Sequence, residues 1–233
     1  MASRDTKIGS RDGGEFDCLF VAPEGNRKTP AIVLASAIHG VDADLRGIAE
    51  DFASRGYLAV APDLFWRTET PGPLGRDDSR STPRGQPRLE RIKAGENDLR
   101  DVRAALDREP SFNGRAAVIG FCYGGPYAVL GPKRLGYDAG ISCHGTQLLD
   151  YIGELEGVTQ PVCLIWGDQD QMAPPPVIEA YKNAEKRMRN VEVHVFPGVL
   201  HGYMMRSASK AFDQKMYDFS MGRALALLEN LRS

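Results

Sequence analysis

The chain has 233 residues, 42% hydrophobic and 26% charged, a balance near average globular usage that excludes a disordered, collagen-like or small disulfide-scaffold protein. Its 29 Lys and Arg against 31 Asp and Glu give a net charge of −2, without the basic excess that a nucleic-acid binder requires. The length suits one α/β domain over residues 1–233, and no linker composition divides it.

The opening Met-Ala-Ser-Arg-Asp-Thr-Lys has no apolar stretch behind its charges. No later apolar run approaches the roughly 18 residues of a membrane span, so a soluble cytoplasmic protein without a membrane partner is expected. Residues 15–21 alternate enough for an outer strand, whereas 31–35 (Ala-Ile-Val-Leu-Ala) is a short unbroken apolar run of the kind found in buried parallel strands. Residues 44–55 place Leu45, Ile48, Ala49 and Phe52 on one helical face, with Gly56 as a stop. A third strand follows at 58–61.

From Arg67 to Arg88 five arginines, three acids, four prolines and three glycines predict a long loop, either a lid or binding loop or a solvated insertion. Beyond it the pattern gives a helix at 89–108, strands at 116–121, 139–143 and 162–166, a helix at 177–189 behind Pro174-Pro175-Pro176, a strand at 191–196 and a helix at 211–231. Strands separated by helices of this length imply right-handed crossovers and a mainly parallel sheet with helices on both faces.

The chemical signal is a cysteine on a sharp turn. Gly120-Phe121-Cys122-Tyr123-Gly124-Gly125 follows the apolar run 116–119, and small and apolar residues suited to a helix come next. Strand, glycine-flanked turn and helix make up a nucleophile elbow, in which the central side chain is forced out above the sheet edge. A position at a helix N-terminus favours thiolate. The segment lacks the Gly-x-Gly pair of a dinucleotide fingerprint and the Gly-Lys-Ser/Thr ending of a P-loop. Downstream, Asp168 and Asp170 lie in the loop after strand 162–166, and His201 lies in the loop after strand 191–196. The order Cys, Asp, His, each at a strand's C-terminal end, is that of a catalytic triad on an α/β-hydrolase fold. Asp168 and Asp170 compete for the acid role.

With these residues in place, the Gly-x-Cys-x-Gly-Gly elbow, the Gly-x-x-Asp-x-x-x-Pro stretch at 167–174 and the His201-Gly202-Tyr203 end resemble the dienelactone hydrolase family, cysteine-dependent members of the α/β-hydrolase fold. The likeness runs over most of the chain, including Ala61-Pro62-Asp63-Leu64-Phe65. It implies a lactone or small-ester hydrolase of carboxymethylenebutenolidase type, with Cys122 as nucleophile, His201 as base and Asp170 as its orienting acid. It further implies oxyanion donors from the backbone N–H groups of Tyr123 and Ile38. No metal or organic cofactor is called for. An oxyanion leaves a thiolate adduct more readily than an amide nitrogen does, which independently favours ester-like substrates over peptides.

Two departures stand out. The family's founding type carries a glutamate beside the cysteine, and this chain reads Ser36-Ala37-Ile38-His39-Gly40, with Ala37 in its place. Activation then falls to His201 and the helix dipole, or to His39. The founding type also grips a substrate carboxylate with arginines. Here Arg206 lies one residue beyond the expected place, and Arg84, Arg88 or Arg91 could supply the second, which would suit a carboxylate-bearing small substrate. His144 is read as a pocket-edge group, and Trp66 as a pocket-lining or merely packed aromatic. Two other readings are carried. Ile141-Ser142-Cys143-His144-Gly145 resembles the Cys-His elbow of class I glutamine-amidotransferase-like proteins and intracellular peptidases, with Cys143 as nucleophile, although no early loop supplies their glutamate. A catalytically silent binding protein on the same fold is the third.

Overall fold

The computed structural model describes residues 1–25 and 27–232. Its frame is an eight-stranded sheet: β1 (Ala2–Gly9), β2 (Glu15–Ala22), β3 (Thr29–Ala35), β4 (Leu58–Pro62), β5 (Phe112–Phe121), β6 (Ala139–Cys143), β7 (Val162–Gly167) and β8 (Val191–Phe196). The spatial order is β1-β2-β4-β3-β5-β6-β7-β8, with β1/β2 and β2/β4 antiparallel and every other pairing parallel. The expected outer strand is therefore second from the edge. β1 escapes a search for apolar runs because only Ile8 of its eight residues is buried; an edge strand with one solvated face needs little apolar content.

Among the described residues six α-helices flank the sheet: α1 (Ala43–Ser54), α2 (Ser81–Arg84), α3 (Arg88–Leu106), α4 (Tyr127–Leu130), α5 (Pro175–Glu185) and α6 (Gln214–Asn230). Every residue of β3 is buried, and successive side chains go to opposite faces as the pleat requires. Ile32 and Leu34 meet Leu45 and Phe52 of α1 and Met221 and Leu228 of α6. Ala31, Val33 and Ala35 meet Leu99 and Val102 of α3 and Tyr127 of α4. Val177 and Tyr181 of α5 pack with Leu164 and Trp166 of β7. Burying a side chain such as Phe52 on this scaffold contributes about 2–3 kcal/mol. α1 starts where the Asp42 side chain accepts the Leu45 N–H at 3.0 Å, and Gly56, at φ +87°, turns the chain back toward β4.

Because β3 to β8 run parallel, the loops after them gather at one edge, which is where an open α/β sheet presents side chains to a ligand. The segment after β4 carries no extended regular structure beyond α2, as its proline and glycine content predicts. It is tied down rather than solvated. Asp63 accepts the Phe65 and Gly72 N–H groups at 2.9 and 2.7 Å, and Arg84 donates to the carbonyls of Thr70 and Gly72 at 3.0 and 2.6 Å. No helix among the described residues is long and apolar enough to cross a membrane.

Candidate active site

Cys122 follows the last residue of β5 and has φ +49°, a left-handed conformation that a non-glycine residue holds only under constraint. The constraint comes from crowding. A Cβ on Gly120 would lie 2.1 Å from the Gly124 carbonyl oxygen, and one on Gly124 would lie 2.3 Å from that of Ala35. Only glycine permits this approach. The turn lifts Cys122 to partial exposure, whereas Cys18, Cys143 and Cys163 are buried. The helix after the elbow is shorter than expected. Cys122–Gly124 form a single 3₁₀ turn, α4 follows from Tyr127, and Gly131–Leu135 continue as a π-helical turn. Pro132 lacks the N–H that an α-helix would use there, so the ladder opens, and the helix dipole at the sulfur is weaker than one long helix would provide.

The loops after β7 and β8 bring the other two groups together. Both carboxylate oxygens of Asp170 lie 2.9 Å from Nδ1 of His201, and Asp170 Oδ1 also accepts the Met172 N–H at 2.8 Å. Asp168 turns away: its Oδ1 accepts the Gly198 N–H at 2.8 Å and so pins one loop to the other. Burial disfavours charge on His201, but its hydrogen bond to Asp170 and the neighbouring Cys122 outweigh that penalty and raise its pKa to about 10. Imidazole and carboxylate thus form one hydrogen-bonded pair, and the ring lines the same cavity as the Cys122 sulfur.

A cavity of about 360 Å³ opens above this chain. Ile38, Tyr123, His39, His144 and Arg88 line it together with Cys122 and His201. His39 is held below the usual histidine range by burial and then by the Arg76 charge. His144, at φ +43°, is pushed well below it by burial and by His201, whose ring lies edge-on with centroids 4.9 Å apart. Arg88 donates through Nη2 to the carbonyls of Tyr123 and Thr146 at 3.1 and 3.0 Å.

Three expected pocket residues lie elsewhere. Arg84 is buried under the wall of the cavity, where three backbone carbonyls take its donors and Phe65 its face, so it is not free to grip a substrate. Arg206 pairs with Asp51 at 3.0 Å and lies over Tyr217 on the outside of α1 and α6. Trp66 donates from Nε1 to Asp98 at 3.2 Å and stacks on Phe16. Backbone carbonyls take the donors of Arg84 and the buried Asp98 carboxylate takes that of Trp66, whereas Arg206 is held by a partly exposed ion pair at the surface. Conversely, Arg76, Thr146 and Met172 line the cavity without having been singled out. The arginine-rich loop contained the signal for Arg76; Thr146 and Met172 carry none.

The rival elbow is closed. Cys143 is fully buried at the end of β6, and burial pushes its thiol up to about 12. The sulfur at the sheet edge is that of Cys122.

A mixed, mainly parallel sheet with an elbow cysteine at its centre and an Asp-His pair in two later loops at the same edge defines an α/β-hydrolase. The model of the dienelactone hydrolase family matches residues 16–230, and the chain belongs to that family. Carboxymethylenebutenolidase 1 of Cupriavidus pinatubonensis is 30% identical over 236 residues, covering 100% of this chain and 99% of the relative. The carboxymethylenebutenolidase of Pseudomonas putida is 26% identical, covering 90% and 89%. Among solved structures, a dienelactone hydrolase-like promiscuous phosphotriesterase from metagenomic libraries superposes with a TM-score of 0.81 at 19% identity, each chain covered in full.

Proposed function

We propose that this hydrolase opens small lactones or activated esters through Cys122, with His201 as proton carrier, Asp170 as its orienting acid and a thioester acyl-enzyme as intermediate. The observation that carries the reading is the hydrogen-bonded Asp170–His201 pair lining one cavity with a cysteine held at φ +49° on a glycine-flanked turn. His201 takes the thiol proton. The sulfur attacks the acyl carbon, and the carbonyl π pair moves to oxygen, facing the N–H groups of Tyr123 and Ile38. Collapse of the tetrahedral adduct breaks the acyl carbon–oxygen bond, and the His201 imidazolium protonates the departing oxygen. A water molecule, losing its proton to His201, then cleaves the thioester and returns the thiol. General acid–base assistance of this kind is worth about 10²–10⁴ in rate.

Ala37 lines the cavity where the founding type has glutamate, and among the described residues no Asp or Glu lines it. Activation of the sulfur therefore rests with His201. Of the two arginines that line the cavity, Arg76 is paired with Asp44 at 3.0 Å, so the positive charge that supports a substrate carboxylate beside its ester bond is that of Arg88. The protein is expected to act on a small molecule in the cytoplasm.

The test compares turnover of aryl esters and unsaturated lactones by the wild type and Cys122→Ala. Loss of turnover in the variant, with a covalent acyl adduct on Cys122 trapped by acid quench, supports the reading. Equal background rates from both proteins would leave a silent binding protein.

A further inference from the structure

The peptide unit joining Cys122 to Tyr123 is loaded at its oxygen. The Cys122 carbonyl accepts three donors: the Gly125 N–H at 3.1 Å, the Thr146 N–H at 3.0 Å and the Thr146 hydroxyl at 3.3 Å. A carbonyl has two lone pairs, so this acceptor is saturated. The carbonyl of Thr146 is in turn held by Arg88 Nη2 at 3.0 Å, and the same nitrogen reaches the Tyr123 carbonyl at 3.1 Å while the guanidinium lies 4.4 Å from the Tyr123 ring centre. Thr146 is 2% exposed, so bulk water does not stand in for its hydroxyl.

The N–H of that same peptide unit belongs to Tyr123, a donor assigned above to the oxyanion. In a planar trans peptide the C=O and N–H point in opposite directions, so fixing one fixes the other. Donors on the oxygen also draw electron density from the nitrogen and make its N–H a stronger donor, by roughly 10–30% per bond. We infer that Thr146, braced by Arg88, is a positioning residue that aims and polarises the Tyr123 N–H toward the oxyanion of the acyl-transfer transition state. The inference rests on the hydrolase reading and deepens it: the oxyanion hole includes a threonine that acts through the Cys122–Tyr123 peptide.

Two reactions of the same sulfur separate this role from general support of the elbow. Addition of Cys122 to a peptide-free aldehyde forms a carbon–sulfur bond and moves the π pair onto oxygen, so the adduct needs the hole. Alkylation by iodoacetamide forms a carbon–sulfur bond and expels iodide, with no oxyanion. Thr146→Val keeps the backbone N–H bond and the side-chain shape but removes the hydroxyl. It is expected to weaken inhibition by hexanal about 3–10-fold and to lower kcat for an aryl ester by the same factor, with KM and the iodoacetamide rate within about two-fold of wild type. Thr146→Ser is expected to restore both. Unchanged hexanal inhibition in Thr146→Val overturns the inference, as does an equal fall in hexanal binding and alkylation, which would mean a distorted elbow. Should Thr146→Val not fold, Thr146→Ala carries the same comparison. Failure of the hydrolase reading appears separately, as absence of Cys122-dependent ester turnover in the wild type while hexanal still binds.

Discussion

Nε of Arg84 donates to the carbonyl of Ile38 at 2.7 Å, joining the arginine-rich segment to the loop that carries the second expected oxyanion donor. Because the same guanidinium also serves Thr70 and Gly72, it fastens the cavity wall and the donor loop as one body. Arg84→Met keeps the apolar stem and leaves three carbonyls without that donor. We expect a loss of about 2–3 kcal/mol in urea unfolding and a fall in kcat of about ten-fold. A variant as stable as wild type would show that water replaces the guanidinium.

Asp170→Asn removes the charge that keeps His201 protonated and allows the ring to take the wrong tautomer. Ester turnover is expected to fall about 10²–10⁴-fold. The His201 pKa should drop from about 10 toward its ordinary 6.5, read by NMR of the ring carbons. Asp168→Asn, which touches the loop clasp at Gly198 and the Gln169 side chain but not His201, is expected to cost less than about five-fold.

The pH profile follows from the same shift. With the pKa of His201 raised to about 10 in the free protein, the imidazolium needed to protonate the departing oxygen persists through neutral pH and is lost above about pH 10, so kcat/KM should fall there. Stability moves the same way. A group whose pKa is higher in the folded than in the unfolded state contributes fully below the unfolded value, near 6.5, and that contribution disappears as pH rises through about 10. Thermal unfolding of wild type and His201→Gln between pH 6 and 11 should therefore converge toward the alkaline end.

Alkylation mapped by mass spectrometry should place the fast-reacting thiol at Cys122 and leave Cys143 unlabelled until the chain unfolds. Fast labelling of Cys143 in the native protein would mean that the end of β6 opens in solution and would revive the rival elbow.

The strands were legible where burial on both faces leaves a continuous apolar run, as in β3 and β7, and helix α1 where its stripe ends at Gly56. β1 was not, because a single buried residue suffices at a sheet edge. The elbow could be read from composition alone, since only glycines at positions 120 and 124 admit the carbonyls that press on them. The cysteine, the two candidate acids and the histidine each stood at a strand end, which follows from chain order in a parallel sheet. The amino-acid sequence alone therefore determined the scaffold, the family likeness and the short list of reactive groups, because these follow from local composition and from the order of strands. Which acid meets His201, which arginines face the cavity and which brace its walls, and that Thr146 sits behind the Cys122–Tyr123 peptide were decided only by tertiary structure. Those outcomes depend on where each side chain finds a partner once the loops converge, and a hydrogen bond across 24 or 31 residues of chain leaves no periodic trace in the sequence.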